Sequence, residues 1–301
     1  MKYTLKNTLS LFEAVMEMYK GISKQKAKQL IGYSDFILNG EKISRNPTQI
    51  LETGSKLEIV QQGKNRELNR IPDHRTPVII YFEDRFLLIA IKPAGILSCG
   101  NRDQAINNSY HKVLENFLSD REQKKVRLWV IHRLDREVEG LIVFAKSEKI
   151  QQQLKAIWAD VTKKYLALTE NKPDPPKGII QNWLKDTTQK VIASEKEIPG
   201  SRFAKTEYTY IKAEKTYHLI EVKLHTGRKN QIRVHLAGIH CPIVGDRKYG
   251  ADASVVRQIR LAACELDFIH PATQKKVSVQ YKPPKRFYRP SQDQDEKYRI
   301  L

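Results

Sequence analysis

Sulfur is scarce in this chain, and long apolar stretches are missing altogether. Cys99, Cys241 and Cys264 are three in number, far apart and in no C-x-x-C pair. That usage excludes a disulfide framework and a zinc cluster, and it suits reduced thiols in a cytosol, so a cytoplasmic location is expected. The eight histidines show no H-E-x-x-H or comparable spacing, so no metal is expected. No run of about 18 apolar residues occurs, and Met1 to Ser10 lacks the apolar centre of a signal peptide, so no membrane partner is expected. No nucleotide-binding motif is present either, and no cofactor is expected. Acidic residues are under-supplied: 34 Asp and Glu face 53 Lys and Arg, a net charge of +19. Such an excess points to a polyanionic partner, nucleic acid first, with a basic ribosomal or membrane-surface protein as the plainer alternative. At 301 residues the chain can bury a real core, and two domains of unequal size are expected.

What is present begins with a small module. Leu9, Phe12, Met16 and Tyr19 recur at helical spacing up to Gly21, and Ser23 is a good N-cap for a second helix with Ala27, Leu30 and Ile31 inward. Lys24 and Lys28 stand one turn apart on its other side. Phe36 to Leu38 and Glu41 to Ser44 flank Asn39-Gly40, a strong hairpin signal, and Lys56 to Val60 reads as a further strand. The ordered segments S-K-Q-K-A-K-Q-L-I, I-L-N-G-E-K-I and G-S-K-L-E-I resemble the small RNA-binding module of a ribosomal small-subunit protein and of bacterial tyrosyl-tRNA synthetases. The resemblance implies RNA contact through Lys24, Lys28 and the Asn39-Gly40 hairpin; the plainer reading is a solvated lysine face. Residues 1–62 are thus expected to form a small α/β-hairpin domain, followed by a polar linker over 63–76.

Val78 to Phe82 and Phe86 to Ile91 look like two strands about a Glu83-Asp84-Arg85 turn, and Lys92-Pro93-Ala94-Gly95 breaks the second. Asn101 to Val126 is hydrophilic with one weak helix near His111 to Leu118, either a mobile insertion or a surface loop. Next comes I-H-R-L-D-R-E-V-E-G-L-I-V-F-A-K, Ile131 to Lys146. Leu141 to Ala145 is a continuous apolar run of the kind buried on both faces of a sheet. Directly before it lie His132, Arg133, Asp135, Arg136, Glu137 and Glu139, charge that is costly beside a buried strand unless paired or used. Asp135, on a turn closed by Gly140, is the candidate reacting carboxylate; the plainer reading is a solvated loop. Ser147 caps a predicted helix with Ile150, Leu154, Ile157 and Val161 inward. Lys163 to Thr169 reads as a strand with Tyr165 on the face opposite Leu166 and Leu168. Ile179 to Ala193 predicts a hairpin, and Lys205 to Ala213 with Thr216 to Leu224 a pair of alternating strands. Many strands and few helices indicate an α+β fold on a mixed, mostly antiparallel sheet flanked by helices.

In His225 to Gly250, helical character runs from Arg228 to Ala237. Arg228, Lys229 and Arg233 gather at its start, a phosphate-seeking corner. Arg233 lies between apolar Ile232 and Val234, needs a carboxylate, and finds Asp135 unclaimed.

The central motif, the K-K-Y-L-A-L strand, T-G-R-x-x-Q-I-R-V-H-L and P-I-V-G-D-x-x-Y-G occur in this order. With L-L-I-A-I-K-P-A-G before them and R-L-A-A-C-E-L-D-F-I-H-P after, the stretch from Pro77 to Pro283 resembles RluA-type RNA pseudouridine synthases. The resemblance implies a pseudouridine synthase fold over 77–290, with 291–301 as a tail, acting on rRNA or tRNA as a monomer. It implies Asp135 as the catalytic aspartate, Tyr165 as the tyrosine beneath the target base and Arg233 as the ion-pair partner of the aspartate. Arg133 and Arg136 would line the RNA pocket, and His132, Arg228 and Gln231 of the same motifs are further substrate-binding candidates.

Turning uridine into pseudouridine cleaves the bond from ribose to a base nitrogen, turns the base and rejoins it through a ring carbon. A carboxylate either attacks the sugar or abstracts a sugar proton. One carboxylate in a dry pocket suits isomerisation, whereas glycoside hydrolysis usually uses two. Arg233 would favour ionised Asp135, and Tyr165 is a candidate base or relay for the ring-carbon proton. The chain departs from the family where Val138-Glu139 replaces Thr-Ser, Lys229-Asn230 replaces Thr-His, and Ser98-Cys99 replaces Val-His. Glu139 either repels phosphate or pairs with Lys229. The alternative function is a catalytically silent RNA-binding protein of this fold, such as a ribosome-assembly factor.

Overall fold

The computed structural model describes residues 2–19, 22–60, 76–100, 109–252, 256 and 258–289. The expected linker falls outside the described residues apart from Thr76, as do the tail and Gly21. The chain divides into two compact units, Met1–Arg70 and Ile71–Leu301.

In the first unit the strands are β1 (Lys2–Thr4), β2 (Leu9–Ser10), β3 (Asp35–Leu38), β4 (Glu41–Ile43), β5 (Ile50–Leu51) and β6 (Lys56–Val60). The helices are α1 (Leu11–Met18) and α2 (Lys24–Tyr33). Ser10 and Glu13 close a capping box at the start of α1, satisfying backbone donors that the first turn leaves free. The Asn39-Gly40 turn takes φ of 51° and 96°, the left-handed pair that a two-residue hairpin demands, and sets Leu38 opposite Glu41. The sheet order is β1-β6-β3-β4. Ala27, Leu30 and Ile31 join Leu11, Val15 and Phe36 in one buried cluster, while Lys24 and Lys28 are exposed.

The second unit is built on one eleven-stranded sheet. Its strands are β7 (Ile80–Glu83), β8 (Leu87–Lys92), β9 (Trp129–Val130), β10 (Glu139–Ala145), β11 (Thr162–Thr169), β12 (Lys177–Asp186), β13 (Val191–Ser194), β14 (Ser201–Glu214), β15 (Tyr217–Leu224), β16 (Leu261–Ile269) and β17 (Lys276–Gln280). They run β13-β12-β14-β15-β11-β16-β10-β8-β7, with β17 beside β16 and β9 beside β10. Only β10 and β16 pair in parallel among the described strands of this sheet, so the fold is mixed and mostly antiparallel. The helices are α3 (Tyr110–Glu122), α4 (Glu148–Ala156), α5 (Gln231–Gly238) and α6 (Lys285–Tyr288). Every residue of β10 is buried, the consequence of packing on both faces. Ser147 caps α4 by accepting the Ile150 N–H.

Three expectations need correction. Gly140 does not close the turn of Asp135: it lies in β10 with φ of 120°, where a Cβ would collide with the Ala263 carbonyl oxygen. A side chain there would push the parallel pair apart, so glycine sets the approach of β10 to β16. The hydrophilic segment is neither surface loop nor insertion from Ser109 onward. Tyr110, Leu114 and Leu118 are fully buried on one stripe of α3 and pack on Leu88, Ala90, Ile142 and Phe144; its first part, 101–108, lies outside the described residues. Helix α5 starts at Gln231, after Asn230 in left-handed conformation (φ 53°), which places Arg228 and Lys229 on the preceding turn. Among the described residues no helix is long and apolar enough to cross a membrane.

Candidate active site

Two turns are fastened together to hold Asp135. The Lys92 ammonium, fully buried, donates to the carbonyls of Pro93, Ile96 and Arg136 at 2.8, 2.9 and 3.2 Å. The Gly95 N–H donates to the Arg136 carbonyl at 2.7 Å, and Arg136 Nε returns a bond to the Gly95 carbonyl at 2.9 Å. Ser98 Oγ both donates to the Leu134 carbonyl (2.7 Å) and accepts the Leu134 N–H (2.9 Å). The turn then closes on itself, Val138 N–H to Asp135 carbonyl at 3.1 Å. Burial brings the Lys92 amine down to about 7, against the opposing pull of Glu137, Asp135 and Glu139.

Arg233 projects from α5 toward this turn. Its Nε and Nη2 grip Asp246 at 2.7 and 2.8 Å, and Nη1 lies 3.3 Å from Asn230 Oδ1, 3.4 Å from Asp135 Oδ2 and 3.7 Å from Glu137. Asp246 is 1% exposed. The carboxylate that neutralises Arg233 is thus Asp246, and Asp135 takes the remaining edge of the fork. The G-D-x-x-Y-G motif was visible in the sequence; that its aspartate would pair with Arg233 was the missed signal. Burial raises the Asp135 carboxyl above its ordinary value, and Arg233 only partly opposes this. Arg233 therefore limits a desolvation cost rather than making the carboxylate unusually acidic. Tyr165 is raised as well, by burial and then by the Asp135 charge, so its phenol stays protonated at neutral pH and is a poor direct base.

Asp135, Tyr165 and Arg233 line a cavity of about 610 Å³ together with Arg133, Arg228 and Gln231. A second cavity of about 250 Å³ shares Arg133, Asp135 and Arg233 and adds Arg136 and Lys248, so Asp135 sits between two openings with basic rims. Arg133 and Arg136 are exposed. Arg228, exposed, spends its Nε on the Phe203 carbonyl. Lys229 is held by Asp186 at 2.7 and 2.9 Å, not by Glu139. Glu139 is buried behind the site with Arg286 at 3.6 Å.

Two substrate-binding candidates, His132 and Gln231, line the larger cavity and also have structural work. His132 Nε2 accepts the Val143 N–H at 3.1 Å, its ring stacks on Trp158 at 4.6 Å, and burial brings its pKa down to about 3; a neutral imidazole offers phosphate no charge. Gln231, 2% exposed, accepts from Thr226 Oγ1 and the Arg228 N–H and donates to the Lys205 carbonyl and Thr206 Oγ1. All four of its amide positions are used within the protein. Lys24 and Lys28 belong to the other unit and are no part of this cavity lining.

The architecture of the second unit is that of the pseudouridylate synthase domains. The human protein RNA Pseudouridylate Synthase Domain Containing 4 matches it with a TM-score of 0.58 at 24% identity, over 69% of this chain and 90% of that one. Residues 87–238 match the family model of RNA pseudouridylate synthase. Ribosomal large subunit pseudouridine synthase C of Buchnera aphidicola is 30% identical over 263 residues, 80% of this chain and 75% of that protein. The uncharacterized RNA pseudouridine synthase YhcT of Bacillus subtilis is 29% identical over 85% of this chain and 83% of its own length. The chain belongs to the RNA pseudouridylate synthase family and is an isomerase that acts on RNA.

Proposed function

We propose that this enzyme converts particular uridines in structured RNA, ribosomal or transfer, to pseudouridine, with Asp135 as the reacting carboxylate. The observation that supports this most directly is the placement of Asp135: desolvated, 21% exposed at its side chain, 3.4 Å from an arginine and on the wall of a cavity. A carboxylate so placed meets a uridine taken out of its stack while bulk water is excluded, and a detached uracil is then kept for rejoining. Attack on the sugar carbon and removal of a sugar proton both remain open to it. Tyr165, protonated and on the same cavity wall, supplies a ring for the base to lie against and a relay for a proton.

The naming of the Buchnera relative as a ribosomal large-subunit synthase favours ribosomal RNA as the substrate. Exposed Lys24 and Lys28 on α2 are read as phosphate-binding groups of an N-terminal RNA-binding domain over 1–62, joined by a linker over 63–76 to a catalytic domain over 77–290. A cytoplasmic location agrees with this use. Tritium release from RNA labelled at uracil carbon five, with no methyl donor present, tests the reading, because that hydrogen is lost when the ring carbon becomes the glycosidic atom. Release from ribosomal RNA of cells lacking the enzyme supports it; intact label in ribosomal and transfer RNA alike would leave a silent RNA-binding protein.

A further inference from the structure

The larger cavity extends past Asp135 and Tyr165 to a second cation. Lys163 is 7% exposed and lines the cavity with Trp158 and Ala159. Its ammonium donates to the Trp158 carbonyl at 2.8 Å and lies 5.7 Å from the centre of the Trp158 ring. Among the described residues it has no carboxylate ion-pair partner. An ammonium carries three donors. Lys92, fully buried, places all three on carbonyls; Lys163, 7% exposed, places one among the described residues, which leaves two donors. Its neighbour Lys164 points to the opposite face and is held by Glu265 at 3.2 Å and Glu221 at 3.7 Å.

The cavity fixes what those donors meet. Lys163 and Tyr165 are two residues apart on β11 and both line the cavity, although the pairing of β11 with β16 shifts register between Lys164 and Tyr165; two residues of regular strand span about 6.6 Å. That is close to the breadth of a pyrimidine with its exocyclic oxygen. We propose that Lys163 is a specificity residue that donates a hydrogen bond to a ring carbonyl of the target uracil. This rests on the pseudouridine synthase reading and names the group that selects the base. Uracil carries carbonyls at positions 2 and 4, on either side of N3. A half-turn about the N3–C6 axis exchanges N1 with C5 and oxygen 2 with oxygen 4. A fixed donor that holds oxygen 4 before the turn therefore holds oxygen 2 after it. Lys163 neither gains nor loses a proton: the bond from C1′ to N1 breaks, the bond from C1′ to C5 forms, C5 gives up its proton and N1 receives one. Cytosine has an amino group at position 4, a donor facing a donor, so it is refused. Burial lowers the Lys163 pKa, opposed by Asp160, as befits an ammonium whose anchoring partner is still to come.

The test uses the full chain with isotope-labelled lysines. The Lys163 side-chain resonance, assigned by its loss in Lys163→Arg, is followed by NMR on adding uridine 5′-monophosphate, cytidine 5′-monophosphate or the 5′-monophosphate of 2-pyrimidinone riboside, which lacks oxygen 4. A saturable shift with the uridine nucleotide alone is expected. Lys163→Met should bind uridine nucleotide about tenfold more weakly with cytidine nucleotide unchanged, and should lose tritium release in proportion, while Lys164→Met keeps both. An unmoved Lys163 signal at saturating uridine nucleotide overturns the proposal, as does an unchanged preference in Lys163→Met. The first measurement needs no variant to fold except for assignment. Tritium release by the wild-type chain alongside an unmoved signal removes only this role, and Lys163 is then a cap on the Trp158 carbonyl. No release from any RNA removes the enzymatic reading and this role with it.

Discussion

Asp135 is held where a carboxylate is uncomfortable, and the discomfort has a measurable sign. Its folded-state pKa is raised by burial, so the proton-bound form favours the fold. That contribution is fully present below the unfolded value and is lost as pH rises through the folded value. Asp135→Asn should therefore melt higher than wild type at neutral pH, with the gap closing in acid; a lower melting temperature for the variant at neutral pH would contradict the sign. For the same reason kcat/KM should fall on the acid side with a midpoint above the usual carboxylate value, as measured by tritium release across pH. Arg233→Met strands Asp246, which is 1% exposed, and breaking such a buried pair costs about 3–5 kcal/mol. Chemical denaturation checks this, and a loss under about 1 kcal/mol would mean that Asp246 finds another partner. The sequence allowed Asp135 and Arg233 to be seen as partners, because charge beside a buried strand must be answered. It did not assign the first claim on Arg233 to Asp246, since an arginine and an aspartate 13 residues apart in different elements leave no periodic trace. Gln231 and His132 entered as substrate-binding candidates, and their bracing bonds were not legible: a polar side chain in a motif looks the same whether it faces RNA or braces a backbone.

Among the elements, the legible ones are those whose burial follows a simple period. Leu141 to Ala145 gave itself away as a two-sided buried strand, and Asn39-Gly40 as a hairpin turn. Helix α3 was half hidden because Tyr110, Leu114 and Leu118 are a narrow apolar stripe among polar neighbours. The approach of β10 to β16 was hidden completely: only the fold reveals that Gly140 faces the Ala263 backbone. Gly140→Ala should cost more than about 3 kcal/mol, or abolish folding, through overpacking and backbone strain together. Ser98 is a finer probe, since it ties the Leu134 backbone from both sides. Ser98→Ala should cost about 1–3 kcal/mol and lower kcat with little change in RNA affinity, read from denaturant midpoints and single-turnover tritium release. An unchanged kcat would show that the Asp135 turn keeps its place without this fastening.

At the scale of the molecule, a net charge of +19 makes RNA affinity a function of salt. Every lysine withdrawn from a phosphate should lower the slope of log affinity against log salt by about one. The double substitution Lys24→Ala and Lys28→Ala should flatten that slope by about two while leaving tritium release at saturating RNA unchanged; an identical slope would deny the N-terminal unit a role in RNA binding. The charge was readable from composition alone, whereas which cations remain available was not, because Lys229 and part of Arg228 are already engaged within the protein. All of this turns on Asp135 as the group that reacts, and one comparison addresses it directly: tritium release from carbon-five-labelled ribosomal RNA by wild type and by Asp135→Asn at equal RNA occupancy. Release by wild type and a loss of about 10⁴-fold in the variant is the expected result. Release by Asp135→Asn at the wild-type rate would contradict it.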